Sequence, residues 1–257
     1  MSSGSERIVY LSRPDRVSMG DDWFEIASPK HFWFIRRFEV LEALASPLLR
    51  TPGIQVAEFG CGNGVIQAQL EDRFGLTVDG YDLNELSLQR NMSRRSPIYC
   101  YDIHQRNADL KERYDVIFLF DVLEHIDDED GFLASLLYHL KPGGRLLINV
   151  PALQSLYSRY DEVVGHVRRY ELESMEAVTS RNGLLTEAAT YWGLPLLPLL
   201  WIRKPWVQNK KREEIISEGM DPRIGPMNTL LKLWSRLESI PQRAIGTSLM
   251  VVLRKGA

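Results

Sequence analysis

Apolar residues follow two rhythms along this chain. Short runs at 56–59, 76–81, 97–101, 114–120, 145–150, 184–191 and 247–253 have the length and composition of strands. The run at 114–120 is apolar almost throughout, which predicts a strand covered on both faces. Helical segments lie between them, at 65–74, from about 130 to 140 and at 172–182, the last with Gly183 placed to end it. Strand alternating with helix predicts an α/β chain on a mostly parallel sheet. Ahead of it, Ser28-Pro29 predicts a helix start, and that helix is expected to stop before Pro47. Residues 1 to about 20 are polar and are expected to be loosely held. No internal repeat is present.

Between Gly193 and Gly246 the rhythm breaks. Residues 194–202 are strongly apolar, but Pro195 and Pro198 interrupt them and they are too short to span a bilayer. Arg203, Lys204, Lys210, Lys211 and Arg212 follow. A lid or core segment is the leading reading, ahead of a membrane-surface contact through 194–212 or a dimer contact. In 226–240, Leu230, Leu233, Trp234 and Leu237 fall on one helical face, which predicts a core-packing helix. The chain divides into an arm and covering helix (1–50), a core (51–192), an insertion (193–245) and a final core strand (246–257).

Candidate chemistry concentrates where the first core strand ends, at Val56-Ala57-Glu58-Phe59-Gly60-Cys61-Gly62-Asn63-Gly64. A glycine loop between strand and helix is where open α/β sheets bind nucleotides. The third glycine of a dinucleotide fingerprint is replaced by Val65, and the lysine of a phosphate loop is missing. The pattern E-x-G-x-G-x-G resembles the first motif of class I S-adenosylmethionine (SAM) methyltransferases. Asp82 stands 22 residues past Gly60, at a strand end where a carboxylate reaches ribose hydroxyls. Leu140-Lys141-Pro142-Gly143-Gly144, leading into an apolar strand, is a further signature of that family.

The resemblance implies a Rossmann-like sheet of seven strands, the last antiparallel, with helices on both faces and a helical insertion before the last strand. It implies SAM as cofactor, with Glu58, Gly60, Cys61 and Gly62 in the loop, Asp82 and Leu83 at the ribose, Asp102 and Ile103 at the adenine, and Asp121 on the cofactor side. Asp82 and Asp102 also suit ordinary turns. Trp33 and Arg37 are candidates to close over the cofactor, since a guanidinium binds a carboxylate bidentately. Arg36 and Arg37 are not separable from sequence.

For the acceptor, His125 and His166 are the candidate bases. Asp121, Glu124 and His125 stand at i, i+3 and i+4, and resemble the acid-rich patch of ubiquinone-pathway O-methyltransferases, where a divalent metal is implicated. No metal is assigned here, and those three residues are the alternative ligand set. The stretch Asp161-Glu162-Val163-Val164-Gly165-His166-Val167-Arg168-Arg169-Tyr170 is similar to a motif of one bacterial subgroup, as are His31-Phe32-Trp33-Phe34-Ile35-Arg36-Arg37 and the strand at 247–253. Tyr157, Arg168, Arg169 and Tyr170 are candidate substrate contacts. Pairing of these arginines with Asp161 and Glu162 is the competing reading.

A net charge of −3 gives no electrostatic reason to expect nucleic acid. Two cysteines imply no disulfide framework and fit a reducing, cytoplasmic setting. The first residues lack a signal-peptide pattern, and no apolar run is long enough for a membrane helix. The expected activity is methyl transfer to a small-molecule hydroxyl on a secondary metabolite, sugar or lipid-like acceptor, by a monomer or homodimer. The alternatives are N-methylation of a small amine and a non-catalytic SAM-fold protein; the glycine spacing argues against a nicotinamide oxidoreductase.

Overall fold

A computed structural model describes residues 7–15, 28–211, 214–215 and 225–256. In chain order the elements are β1 (Ile8–Tyr10), α1 (Phe32–Leu49), β2 (Val56–Phe59), α2 (Val65–Phe74), β3 (Asp79–Asp82), α3 (Glu85–Gln89), β4 (Ile98–Cys100) and β5 (Tyr114–Phe120). Then come α4 (Glu129–Leu137), β6 (Leu140–Pro151), α5 (Arg159–Val164), α6 (Leu172–Arg181), β7 (Leu184–Trp192), α7 (Leu197–Val207), α8 (Pro226–Trp234) and β8 (Ser248–Lys255). One sheet orders the strands β1-β4-β3-β2-β5-β6-β8-β7. All pairs are parallel except those of β8, which runs antiparallel to β6 and β7.

Two-residue alternation along β5 builds both cores. Ile117 and Leu119 face a layer with Leu133 and Leu136 of α4 and Met175 of α6. Val116, Phe118 and Phe120 face the other layer, with Leu41, Ala45 and Leu49 of α1 and Ile66 and Leu70 of α2. A strand covered on both faces has to be apolar throughout, as 114–120 is.

The structure corrects the sequence reading in four places. The sheet has eight strands rather than seven, because β1 pairs Ile8, Val9 and Tyr10 with Ile98, Tyr99 and Cys100. Residues 8–10 are therefore not loosely held; much of the remaining arm, including 16–27, lies outside the described residues. Helix α1 begins at Phe32 with His31 as its cap, the imidazole Nδ1 accepting from Trp33 N–H at 3.0 Å. It continues through Pro47 to Leu49, since the lost backbone bond falls in the last turn and Leu49 is buried there. Finally, α8 is short and inverted. Asn228 and Ser235 are buried, whereas Leu230, Leu233, Trp234 and Leu237 are exposed, so it is no core-packing helix.

Candidate active site

The glycine loop is pinned to its neighbouring strand. The N–H groups of Gly60 and Cys61 both donate to the Tyr81 carbonyl, at 2.8 and 3.0 Å. Gly60 has φ +74°, and Val122 lies so close that a Cβ there would overlap its side chain. Asp82, at the end of β3, accepts from Gly62 N–H and Asn84 N–H, each at 2.8 Å. Burial pushes the Asp82 carboxyl above its ordinary range. A carboxylate offers about four lone-pair directions, so these two bonds orient it and leave capacity for a ligand's hydroxyls.

Beyond Asp82 the N-terminal segment forms a wall that sequence reasoning missed. Leu11 and Ser12 donate backbone N–H groups to the Cys100 carbonyl at 2.9 and 3.0 Å, and Ser12 Oγ accepts from Asp102 N–H at 2.9 Å. Tyr10, Ser12, Arg13 and Asp15 thereby line a cleft of about 470 Å³ together with Leu83 and Asp102. Ile103 is buried in the turn behind it. The one sequence signal was the short apolar run Ile8-Val9-Tyr10-Leu11.

On the other side of the loop lies a buried charged cluster. Arg37 points inward from α1 and pairs with Asp121, while Trp33, Phe34 and Phe120 surround its guanidinium with ring centroids at 5.0 to 5.2 Å. Arg36 turns away, to Glu39 and Glu238 at 3.3 and 3.2 Å, so the structure separates the two arginines. Asp121 has φ +58° at the end of β5, a strained conformation that aspartate tolerates better than most residues. Asn149 Nδ2 holds its carboxylate at 2.7 Å, and Asn149 Oδ1 in turn accepts from Trp192 Nε1 at 2.9 Å. Asn149 and Trp192 were missed from sequence; an asparagine inside an apolar strand was the available signal.

Glu58 is buried beneath this cluster. Burial raises its carboxyl to about 8, with Arg37 pulling the other way. Among the described residues, Glu58 Oε2 and Arg37 Nε lack a hydrogen-bond partner. Cys61 is buried, and burial pushes its thiol well up, which suits a filler rather than a nucleophile.

A second cluster sits across the ends of β5 and β6. Asp161 is fully buried on α5. Its carboxylate accepts from His166 Nδ1 at 2.9 Å and Arg169 Nε at 2.8 Å, and from Ser158 N–H at 2.9 Å. His166 Nε2 lies 3.9 Å from Glu124 Oε1. His125 Nδ1 donates to the Gly165 carbonyl at 3.0 Å, and its ring meets that of His166 edge-on at 4.9 Å. Burial lowers His125 to about 4 and pushes Glu124 well up. One ligand atom from each of Glu124, His125 and His166 lies within 4.8 Å of the others. Asp121 is not in this group, because its left-handed backbone breaks the helical register and its carboxylate faces Arg37.

The remaining candidate contacts hold this loop. Arg168 pairs with Glu129 at 3.1 Å and donates to the Ile126 carbonyl at 2.8 Å. Arg169 is buried against Asp161 and the Ala152 carbonyl, and Tyr170 is buried with its hydroxyl on Glu129. Tyr157 donates to the His166 carbonyl at 2.8 Å. Helix α7 covers the loop from outside: Arg203 stacks on Tyr160 at 3.9 Å, and Val207 packs with Val163 and Ile215.

Comparison with known proteins agrees with this fold. Residues 33–189 match the model of a methyltransferase domain family. A trans-aconitate 2-methyltransferase of Deinococcus radiodurans is 33% identical over 105 residues, 39% of each chain. A ubiquinone biosynthesis O-methyltransferase of Rhizobium leguminosarum is 29% identical over 165 residues, 58% of this chain and 65% of that protein. The matches to these curated relatives thus span between about two fifths and two thirds of their length. Among solved structures, phosphoethanolamine N-methyltransferase 2 of Haemonchus contortus, in complex with S-adenosylhomocysteine, shares the fold at a TM-score of 0.56, with 17% identity over 85% of this chain and 53% of that one. With more than half of the chain inside the family match, and the glycine loop, an acid at the end of β3 and the antiparallel final strand all in place, the chain belongs to the class I SAM-dependent methyltransferases.

Proposed function

We propose that this protein transfers a methyl group from SAM to a hydroxyl of a small, lipid-like or glycan acceptor. The cofactor's part is to supply an electrophilic methyl group. The residues present fit it. Arg37, with its unpartnered Nε, suits the carboxylate of the amino-acid tail, and the acids Glu58 and Asp121 suit the ammonium. Asp82 suits the ribose, and the cleft beside Leu83 and Asp102 suits the base.

The observation that carries hydroxyl chemistry is the Asp161–His166 pair. Asp161 holds Nδ1–H, so Nε2 is the basic nitrogen, on the loop that faces the end of β5. In this reading His166 Nε2 takes the acceptor's proton as the oxygen attacks, and buried Asp161 stabilises the imidazolium formed. Alignment and exclusion of water supply the remaining acceleration. His166→Ala is expected to lower kcat by about 10²–10⁴-fold with SAM affinity retained. Unchanged kcat removes the assignment.

A second reading is favoured by the close grouping of Glu124, His125 and His166. Both imidazoles present Nε2 because Nδ1 is engaged by a carboxylate or a carbonyl, as in many metal-binding histidines. A divalent ion held there would polarise the acceptor oxygen. Turnover lost in EDTA and restored by a divalent salt selects this version; turnover unaffected by EDTA selects the metal-free base. Calorimetric titration with SAM and S-adenosylhomocysteine tests the common premise, and failure of both to bind would refute it.

A further inference from the structure

Helix α8 carries its amphipathicity inside out. Asn228 is buried, accepting from Phe32 N–H at 2.8 Å and donating to the Lys30 carbonyl at 3.1 Å. Ser235, the C-cap two turns later, is buried as well. The opposite side presents Leu230, Leu233 and Trp234, at i, i+3 and i+4, and Leu237 follows just past the helix end, with Leu233 59% and Leu237 69% exposed. Helix α7 buries Leu197 and Val207 but also exposes Leu199, Ile202 and Trp206, Ile202 being 71% exposed. The two helices are joined at one end. Trp234 Nε1 donates to the Pro195 carbonyl at 2.7 Å, and the Glu238 carboxylate accepts from Gly193 and Leu194 N–H at 2.9 and 2.8 Å. Exposed apolar side chains of this size, on two elements joined by the Trp234–Pro195 bond, suit a docking surface.

Charge identifies the partner. Lys210 and Lys211 follow the exposed end of α7 and Lys232 stands on α8, while Glu238 beside them is taken up by the Gly193 and Leu194 N–H groups. Arg203 is stacked on Tyr160, Lys204 donates to the Ser155 carbonyl at 2.6 Å and Arg236 is offset by Glu39, so these three face the protein, whereas Lys210 sits over the Trp206 ring at 3.0 Å. A second copy docked on the same face would set Lys210, Lys211 and Lys232 against their own kind, whereas an anionic lipid surface complements them. Indole rings beside lysines, around an apolar patch, suit the boundary between headgroups and acyl chains.

We propose that α7 and α8 form a face that docks reversibly on an anionic lipid bilayer, with the leucines and tryptophans in the acyl boundary and the lysines among the headgroups. No helix among the described residues is long and apolar enough to cross a membrane, so the attachment is peripheral. Because α7 rests on the loop carrying Asp161 and His166, docking brings the acceptor side next to the lipid. The proposal rests on the exposed face alone and stands or falls apart from methyl transfer.

The test is flotation of the purified full chain with vesicles of phosphatidylcholine alone and of phosphatidylcholine mixed with phosphatidylglycerol. The wild type is expected to float with the mixed vesicles at low salt and to be released as salt is raised. The double variant Leu230→Glu/Leu233→Glu is expected to lose binding by about tenfold or more, since two apolar side chains no longer enter the lipid. Its circular dichroism melt should match the wild type, because neither side chain is in the core. Failure of the wild type to float with mixed vesicles, or equal flotation of the double variant, overturns the proposal. So does sedimentation of the wild type as a dimer that the same two substitutions convert to monomer, an outcome that assigns the face to a second copy.

Discussion

Helices α1 and α8 touch, yet they use their apolar residues in opposite ways. Helix α1 turns Phe34, Phe38, Leu41, Ala45 and Leu49 into the protein, and its arginine Arg37 with them. Helix α8 turns Asn228 inward, to hydrogen bonds at the start of α1, and leaves its leucines outside. Burying a leucine fully stabilises by about 1.5–3 kcal/mol, so α8 forgoes several kcal/mol that its sequence makes available. The first helix is held by burial and the second by a few specific polar bonds. An apolar stripe therefore does not by itself say that a helix packs into the core of its own chain.

The difference can be broken or sharpened by substitution. The largest expected effect is at Arg37, whose removal leaves Asp121 and the end of β5 with a buried charge. Arg37→Ala should cost about 3–5 kcal/mol in denaturant unfolding and weaken SAM binding severely. An effect below about 1 kcal/mol would show that the pair is dispensable to the fold. Next, Leu41→Ala on α1 should cost about 2–5 kcal/mol, whereas Leu233→Ala on α8 should stay within about 0.5 kcal/mol. Equal costs would mean that α8 is packed against something in solution and that the contrast fails.

The smaller effect has the opposite sign. Glu58 has its carboxyl raised from 4.5 to about 8 by burial. A raised carboxyl contributes stability that is fully present below 4.5 and is lost as pH rises through about 8. Glu58→Gln should therefore stabilise the cofactor-free protein by on the order of 1–3 kcal/mol at pH 8, with little change at pH 4, while weakening SAM binding. Melting both proteins across that range decides it. A variant less stable at pH 8 would show that Glu58 is charged and satisfied in the native state.

Much of the sheet was legible in the sequence. Apolar runs such as 114–120 have to be buried on both sides, and a glycine loop followed by an acid at a strand end restricts the topology. What was not legible depended on contacts distant in the chain. Residues 8–10 become a strand only because β4 offers an open edge. Arg36 and Arg37 differ only in which neighbours, Glu238 or Asp121, their face meets. His166 was visible as a candidate, but the buried Asp161 behind it was read only as a partner for arginines; in the structure it serves Arg169 and His166 together. The inversion of α8 was invisible, since a hydrophobic stripe has the same periodicity whichever way it points.

The place of β8 sets an order on how the sheet is completed. Although it follows every other strand in the chain, it lies between β6 and β7 and bonds to both along almost its whole length. While the chain is being synthesised, β6 and β7 therefore each wait with an unpaired edge until residues 248–255 arrive. Trp192 and Asn149, which meet across that gap, acquire their alignment only when it is filled. The final strand acts as the keystone for the Asn149–Trp192 contact, whereas the Arg37–Asp121 pair joins α1 to the end of β5 without it.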